Sequence, residues 1–490
     1  MLNAVKSRFG GKKIFIFLFV ICSLLSGICY AQWQPDVRLT NNPANSYTSY
    51  NNAWCIASNG NFVHVVWYDN RDGNKEIYYK RSTDSGVSWG ADTRLTNNSA
   101  FSEYPSLTVS GSIVHVVWND NRDGNFEIYY KRSTDGGVTW GQDSRLTNNP
   151  AFSQIPSVSV SGSLVDVVWI DTRDGNYEIY SKRSADWGLS WGADTRLTNN
   201  SADSQPPSVS VSGSVVHVVW HENRGGNDKI YYKRSTDGGV SWGADTRLTN
   251  DPAYSTNASV TVSGSVVHVG WRDERDGNDE IYYKRSTDGG VSWGADTRLT
   301  NDPAGSWSPS LSISGQVVHV VWEDARDGNE IYYKRSTDGG VSWGADTRLT
   351  NDLADSYGAS VTVSGQVVHV VWTDERDFFP EIYYKRDPTG NSIGIININS
   401  EIPKEFSLSQ NYPNPFNPST KIRFALPKSS FATLVVYDML GREMETLVNE
   451  QLNAGTYEAD WSADKFASGV YYYKLVAGDF AGTKKMILVK

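Results

Sequence analysis

One arginine recurs in each of seven similar stretches of this chain: Arg71, Arg122, Arg173, Arg224, Arg275, Arg326 and Arg376. A guanidinium offers a planar fork of donors that matches a carboxylate, so a set of seven on one face would suit a carboxylated sugar. Acidic residues flank these arginines, and local ion pairing is the competing reading. A second series is aromatic: Tyr47, Phe101, Phe152, Tyr254, Trp307 and Tyr357, with Asp203 in the fourth stretch. Such rings could stack on sugars or grip a peptide, or they could simply anchor their own loops. A third series holds His64, His115, His217, His268, His319 and His369, with Asp166 in the third stretch. One histidine per stretch does not converge on a metal as a short-spaced cluster does, so these read as interior histidines. The spacing Asp120-x-Arg122-Asp123-Gly124 does not reproduce a calcium loop. No metal, cofactor or catalytic set is expected.

The elements that must position these residues follow from the repeat itself. Trp67, Trp118, Trp169, Trp220, Trp271, Trp322 and Trp372 end runs such as Val-His-Val-Val-Trp, with spacings of 51 five times and then 50. Alternation within one unit predicts four short antiparallel strands: Ser106–Ser110, Ile113–Trp118, Glu127–Arg132 and Val138–Leu146. A period of this length made of such strands predicts a β-propeller of seven blades. The last unit ends at Arg386 without a fourth strand, whereas the segment from Trp33 to Thr40 matches one. The expected fold is therefore an all-β, seven-bladed propeller over 32–386, closed by the N-terminal strand, which would remove exposed sheet edges.

Between the third and fourth strands, six units carry an octad with the pattern Ser-x-Asp-x-Gly-x-Ser/Thr-Trp, as in Ser82–Trp89 and Ser133–Trp140. Its aspartates are Asp84, Asp135, Asp186, Asp237, Asp288 and Asp338. The carboxylate can accept backbone N–H groups across the turn, and the glycine permits positive φ. The octad resembles the Asp-box, or bacterial neuraminidase repeat, of sialidase-like propellers. That resemblance implies a structural motif on the face opposite an active site. A retaining sialidase would use a tyrosine nucleophile, an acidic acid/base and three arginines, and the Arg-Ile-Pro motif of that family is missing here. From about Ile402 the repeat stops. Asn411–Thr420, Val436–Arg442, Ala467–Tyr473 and Lys484–Lys490 together resemble the type A sorting domain of the type IX secretion system. The resemblance implies a small Ig-like β-sandwich over 402–490, recognised at the outer membrane, after a linker at 387–401.

The opposite end of the chain agrees with export. Lys6, Arg8, Lys12 and Lys13 precede the apolar run Ile14–Leu25, and Ala31 offers a cleavage site, so 1–31 reads as a signal peptide. Its removal leaves Cys55 as the one thiol and takes the formal net charge from −10 to −14, because four positive charges are lost. Nucleic acid is a poor partner for such a surface. Near-identical units suit repeated binding better than catalysis, which needs different groups from different units. Departures such as His221, Glu222, Arg272, Trp307, Phe378 and Phe379 look scattered in the sequence. The expected function is a secreted or cell-surface recognition protein that binds an extracellular glycan or surface protein, with association at the outer-membrane surface. The alternative is an exo-α-sialidase-like glycoside hydrolase.

Overall fold

The computed structural model describes residues 33–49, 55–390, 395–399, 403–452, 454–463 and 466–490. The signal-peptide reading of 1–31 lies outside them. In the second repeat the strands are Ser102–Ser110, Ile113–Asp120, Glu127–Ser133 and Ser144–Arg145, each antiparallel to the one before it. Six repeats form four-stranded sheets, and the first forms a five-stranded one because Ser46–Tyr47 and Ile56–Asn59 both pair with Phe62–Asp69. The fourth strand is much shorter than its alternation predicts. The segment before it turns back instead, with the Gly141 N–H on the Arg132 carbonyl at 2.9 Å.

The expectation of seven blades closed into a propeller is corrected by the pairing. The sheets are separate and open, and none of them closes on itself as a barrel or propeller. Val37–Arg38 adds a two-residue edge to the seventh sheet, opposite Tyr383 and Tyr384. Neighbouring repeats meet through side chains rather than through one continuous ladder. The protein is all-β, built of repeated antiparallel sheets. Ile395–Asn399, inside the stretch read as a linker, pairs with Gly455–Ser462. With the residues beyond it, this strand forms two four-stranded sheets over one core that includes Phe424, Leu434, Trp461 and Leu475.

Both faces of the second strand are buried, which is why it reads as a continuous apolar run rather than a clean alternation. Val65, Val66 and Trp67 are all inaccessible. Each core is shared between repeats: Val66, Ile77 and Tyr79 of the first pack with Leu107, Val116 and Trp118 of the second. Burying each such aliphatic side chain contributes about 1.5–3 kcal/mol. Serines on the first strands stitch the repeats together. Ser106, Ser157, Ser208, Ser259 and Ser310 each accept a backbone N–H from the next repeat at 3.2–3.4 Å. Ser360 of the seventh accepts from Cys55 N of the first at 3.2 Å.

The histidine series belongs to this core. His64 Nδ1 lies 2.6 Å from the Tyr79 hydroxyl, and the Tyr79 ring stands edge-on to Trp140 of the next repeat at 4.9 Å. Burial, then the nearby Arg81 charge, lowers the His64 pKa to about 4, so the ring is neutral. The third repeat breaks the pattern at both members, with Asp166 for histidine and Ser181 for tyrosine. Serine leaves the space that a tyrosine ring fills elsewhere, and among the described residues neither Asp166 oxygen has a hydrogen-bond partner.

Burial pushes the Asp166 carboxyl up to about 7, against the pull of its cross-strand neighbour Arg183. The unfolded chain ionises this group near about 4. Stability contributed here is therefore fully present below that value and is lost as pH rises toward the folded pKa. Asp166→Asn is expected to flatten that part of the pH profile in urea unfolding. The double change Asp166→His with Ser181→Tyr restores the pair and should stabilise by about 1–3 kcal/mol. A double variant less stable than the parent would refute this account.

Candidate functional site

The seven arginines are held by the scaffold. Arg122 Nη2 donates to Asp120 Oδ2 at 2.6 Å and Nη1 to Asp143 Oδ2 at 2.7 Å, while its guanidinium lies 4.3 Å from the centre of the Tyr129 ring. Asp120 also accepts the Trp118 indole N–H at 3.0 Å and the Ser102 hydroxyl at 2.8 Å. Burial alone would raise this carboxyl; hydrogen bonds from Arg122, Trp118 and Ser102 outweigh that and hold it below its ordinary value. Arg71, Arg173, Arg224, Arg275, Arg326 and Arg376 sit in the same way over Tyr78, Tyr180, Tyr231, Tyr282, Tyr332 and Tyr383. Each guanidinium therefore has two carboxylates and an aromatic face already.

The aspartates of the octads are similarly occupied. Asp84 accepts the Ser88 hydroxyl and backbone N–H at 2.5 and 2.8 Å and the Ser82 hydroxyl at 2.7 Å. These bonds, those from Ser88 foremost, lower its pKa to about 2. Asp135, Asp186, Asp237, Asp288 and Asp338 repeat the arrangement.

The aromatic series divides in two by register. Tyr47, Trp307 and Tyr357 directly follow the serine that bonds the buried aspartate, whereas Phe101, Phe152 and Tyr254 directly precede it. Tyr47, Trp307 and Tyr357 lie within their strands, whereas Phe101, Phe152 and Tyr254 stand just before theirs begin, so the six rings do not share one register position. Phe101, Phe152 and Tyr254 are 42–49% exposed. Trp307 is tied to Asp279 at 2.6 Å and Tyr357 to Glu375 at 2.9 Å. Tyr47 stacks on Tyr68 at 5.3 Å.

Tyr68 marks the position that sequence reasoning passed over. The residue after each second-strand tryptophan is Tyr68, Asn119, Ile170, His221, Arg272, Glu323 and Thr373, seven different residues in one register position, each opposite an isoleucine. The residues on either side hardly change: tryptophan before, and Asp or Glu after. The signal was visible as a column in which no residue type recurs, set between two columns that hardly change. The structure also gives some of these residues a local task. Asn119 Oδ1 accepts the backbone N–H of Ile155, Glu323 Oε1 that of Gly358, and Thr373 Oγ1 that of Thr48, each in the following repeat, at 3.3, 2.7 and 2.9 Å. Where this residue is Ile170, the sequence equivalent of Ile155 and Gly358 in the following repeat is Pro206, which has no N–H to satisfy.

Three of the departures that look scattered in the sequence are contiguous in space. Arg272 Nε donates to Asp279 at 2.5 Å and Nη2 to Glu274 at 2.9 Å, and the same Asp279 takes the Trp307 indole. Trp307 pairs across the strands with Glu323. Burial, then the Arg272 charge, lowers the His221 pKa to about 4, and among the described residues its Nδ1 has no partner. Burial raises the Glu323 carboxyl despite bonds from Gly358 and Ser308. A neutral imidazole, a guanidinium, a raised carboxyl and an indole thus occupy the same end of repeats four to six. At the same end of repeats one and two, Tyr47, Tyr68 and Tyr104 form a ring cluster with the Lys75–Glu103 pair, 2.6 Å apart, beside it. Phe378, nearly fully exposed, packs on Phe379 in the seventh repeat. Among the described residues, no three His, Cys, Asp or Glu side chains are grouped as a metal would require.

The fold is an all-β array of repeated antiparallel sheets followed by a C-terminal β domain. Residues 410–490 match the family of secretion system C-terminal sorting domains. The chain is exported by the system that reads this domain. No curated protein sequence matches the chain. Among solved structures, the polysaccharide lyase Uly1 is similar at 10% identity and TM-score 0.52, over 72% of this chain and 99% of that one. A PL25 ulvan lyase solved with -[GlcA(1-4)Rha3S]- is similar at 10% identity and TM-score 0.52, over 71% of this chain and 95% of that one. Trypanosoma rangeli sialidase is looser, at 12% identity and TM-score 0.41 over 81% and 85%. Identities this low speak for the fold alone.

Removing one repeat arginine should unfold rather than disarm the protein. Arg122→Ala strands Asp120 in the interior and is expected to cost about 3 kcal/mol in urea unfolding. Unchanged stability would return these arginines to a ligand-binding role.

Proposed function

We propose that this protein acts on an acidic polysaccharide outside the cell, binding it at the variable end of the repeats and cleaving it with His221 and Arg272. One observation carries the reading: at the register position after the tryptophan, where no residue type recurs, the scaffold places a neutral histidine beside a guanidinium. Likeness to the lyase folds supports it, and so does export. The octad turns are proposed to be Asp-boxes with a structural role.

The chemistry follows from the pair. A uronate carboxylate would approach the open edge of Arg272, whose Nε and Nη2 are already engaged. Pairing withdraws charge from the carboxylate and makes the adjacent C–H more acidic. It also offsets the positive field that, after burial, depresses His221, so the imidazole becomes more basic when substrate is present. Imidazole takes the proton, the C–H electron pair forms a carbon–carbon double bond, and the glycosidic oxygen leaves. The imidazolium then returns its proton to that oxygen. Trp307, held by Asp279, would offer a face to a neighbouring sugar ring.

The test is incubation of the mature chain with uronate-containing polysaccharides, read by ultraviolet absorbance and by new reducing ends. Both signals together are the expected result. Reducing ends without absorbance would mean hydrolysis, and retention without either would mean recognition alone; each overturns the elimination. His221→Ala should lower kcat by about 10²–10⁴, and Arg272→Ala by about 10²–10³.

A further inference from the structure

A second departure from the repeat lies at the opposite end of the strands. In six repeats the turn between the first and second strands reads Ser-Gly-Ser/Gln followed by Ile, Leu or Val, as in Ser110–Ile113 and Ser364–Val367. The first repeat alone reads Asn59-Gly60-Asn61-Phe62. These four residues, with Ser112 and Asp135 of the second repeat, line a cavity of about 480 Å³. That volume is in the range of sites for small ligands.

Three changes in four residues all bear on this cavity. Phe62 is 42% exposed where other repeats place a smaller aliphatic side chain, and its ring lies parallel to that of His64 at 6.4 Å. A phenyl ring left 42% exposed in a polar turn keeps apolar surface open to water. The amides are fixed rather than loose. Asn59 Nδ2 donates to the Gly111 carbonyl at 2.9 Å, and Asn61 Oδ1 accepts the Ser85 hydroxyl at 3.3 Å. Among the described residues Asn59 Oδ1 and Asn61 Nδ2 remain, one acceptor and one donor beside a flat apolar face. No lining residue is a cation, and Asp135, whose turn bonds hold it ionised, puts a negative charge at the rim.

We propose that this cavity binds a single pyranose unit of a neutral glycan, with the ring of Phe62 against the sugar's C–H face and Asn59 and Asn61 on its hydroxyls. The site is distinct from the His221 and Arg272 pair, which faces the other end of the strands and suits an anionic unit. Anionic sugars are disfavoured here by Asp135. An exported protein so equipped would hold one glycan while acting on another.

The test is calorimetric titration of the mature full chain with neutral hexaoses: cellohexaose, xylohexaose, mannohexaose and laminarihexaose. At least one is expected to bind. Phe62→Val, which installs a residue that other repeats carry, should weaken that binding at least tenfold, and Phe62→Trp should preserve it. Asn61→Ser, again a repeat residue, should weaken it as well. The His221→Ala, Arg272→Ala double variant should bind the hexaose unchanged. No binding by any hexaose, or equal affinity in Phe62→Val, would overturn the site. Loss of hexaose binding in the double variant would place it at the other end and overturn the proposal equally.

Discussion

Each repeat depends on one buried carboxylate. Asp69, Asp120, Asp171, Glu222, Asp273, Asp324 and Asp374 are inaccessible, and each receives the tryptophan indole and the arginine fork. A charge taken out of water is tolerable only when it is paired and its lone pairs are filled. Here the donors come from the start of the first strand, the end of the second and the loop beyond it. Satisfying the carboxylate therefore fixes the relative placement of three segments, and the tyrosine on the third strand caps the guanidinium. Glu222 shows how firmly the requirement is met. It is longer than aspartate, and its cross-strand partner is Lys229 where other repeats have Glu.

That arrangement explains what the sequence disclosed. Strand order, the turn octads and the interior histidines were legible because each leaves an identical trace in repeat after repeat. The sorting domain was legible from its landmarks. Closure was misjudged because matching the ends of the array shows only which strand completes the seventh sheet; Val37–Arg38 pairs there as the other fourth strands do, and the sheets remain separate. The arginines looked like a ligand set because their carboxylate and tyrosine partners are separated along the chain and meet only through cross-strand register.

The candidate site was hidden for the opposite reason. Reading the repeats for what recurs directs attention to Arg71 and its equivalents, which are each paired with two carboxylates, and away from Tyr68, His221, Arg272 and Glu323, which share a position but not a residue type. The aromatic series divides for a related reason. Trp307 and Phe152 look equivalent by loop and composition, but they stand two residues apart in register, Phe152 before its strand and Trp307 within it.

Cost decides where such a scaffold can vary. At the position after the tryptophan the side chain serves at most one backbone N–H of the next repeat, as Asn119, Glu323 and Thr373 do. Leaving one such donor to another acceptor costs about 1–3 kcal/mol at worst, and a proline at the facing position removes even that. Tyrosine, histidine and arginine can therefore appear there without disturbing the core. The histidine that bonds Tyr79 or its equivalents is different, because its partner's ring also packs beneath the next repeat's tryptophan. Changing it requires a second change, and the third repeat, with Asp166 and Ser181, carries both and still leaves a carboxyl without a partner. The end of the strands is thus the part of each repeat where chemistry can be altered cheaply, and the repeats differ most there.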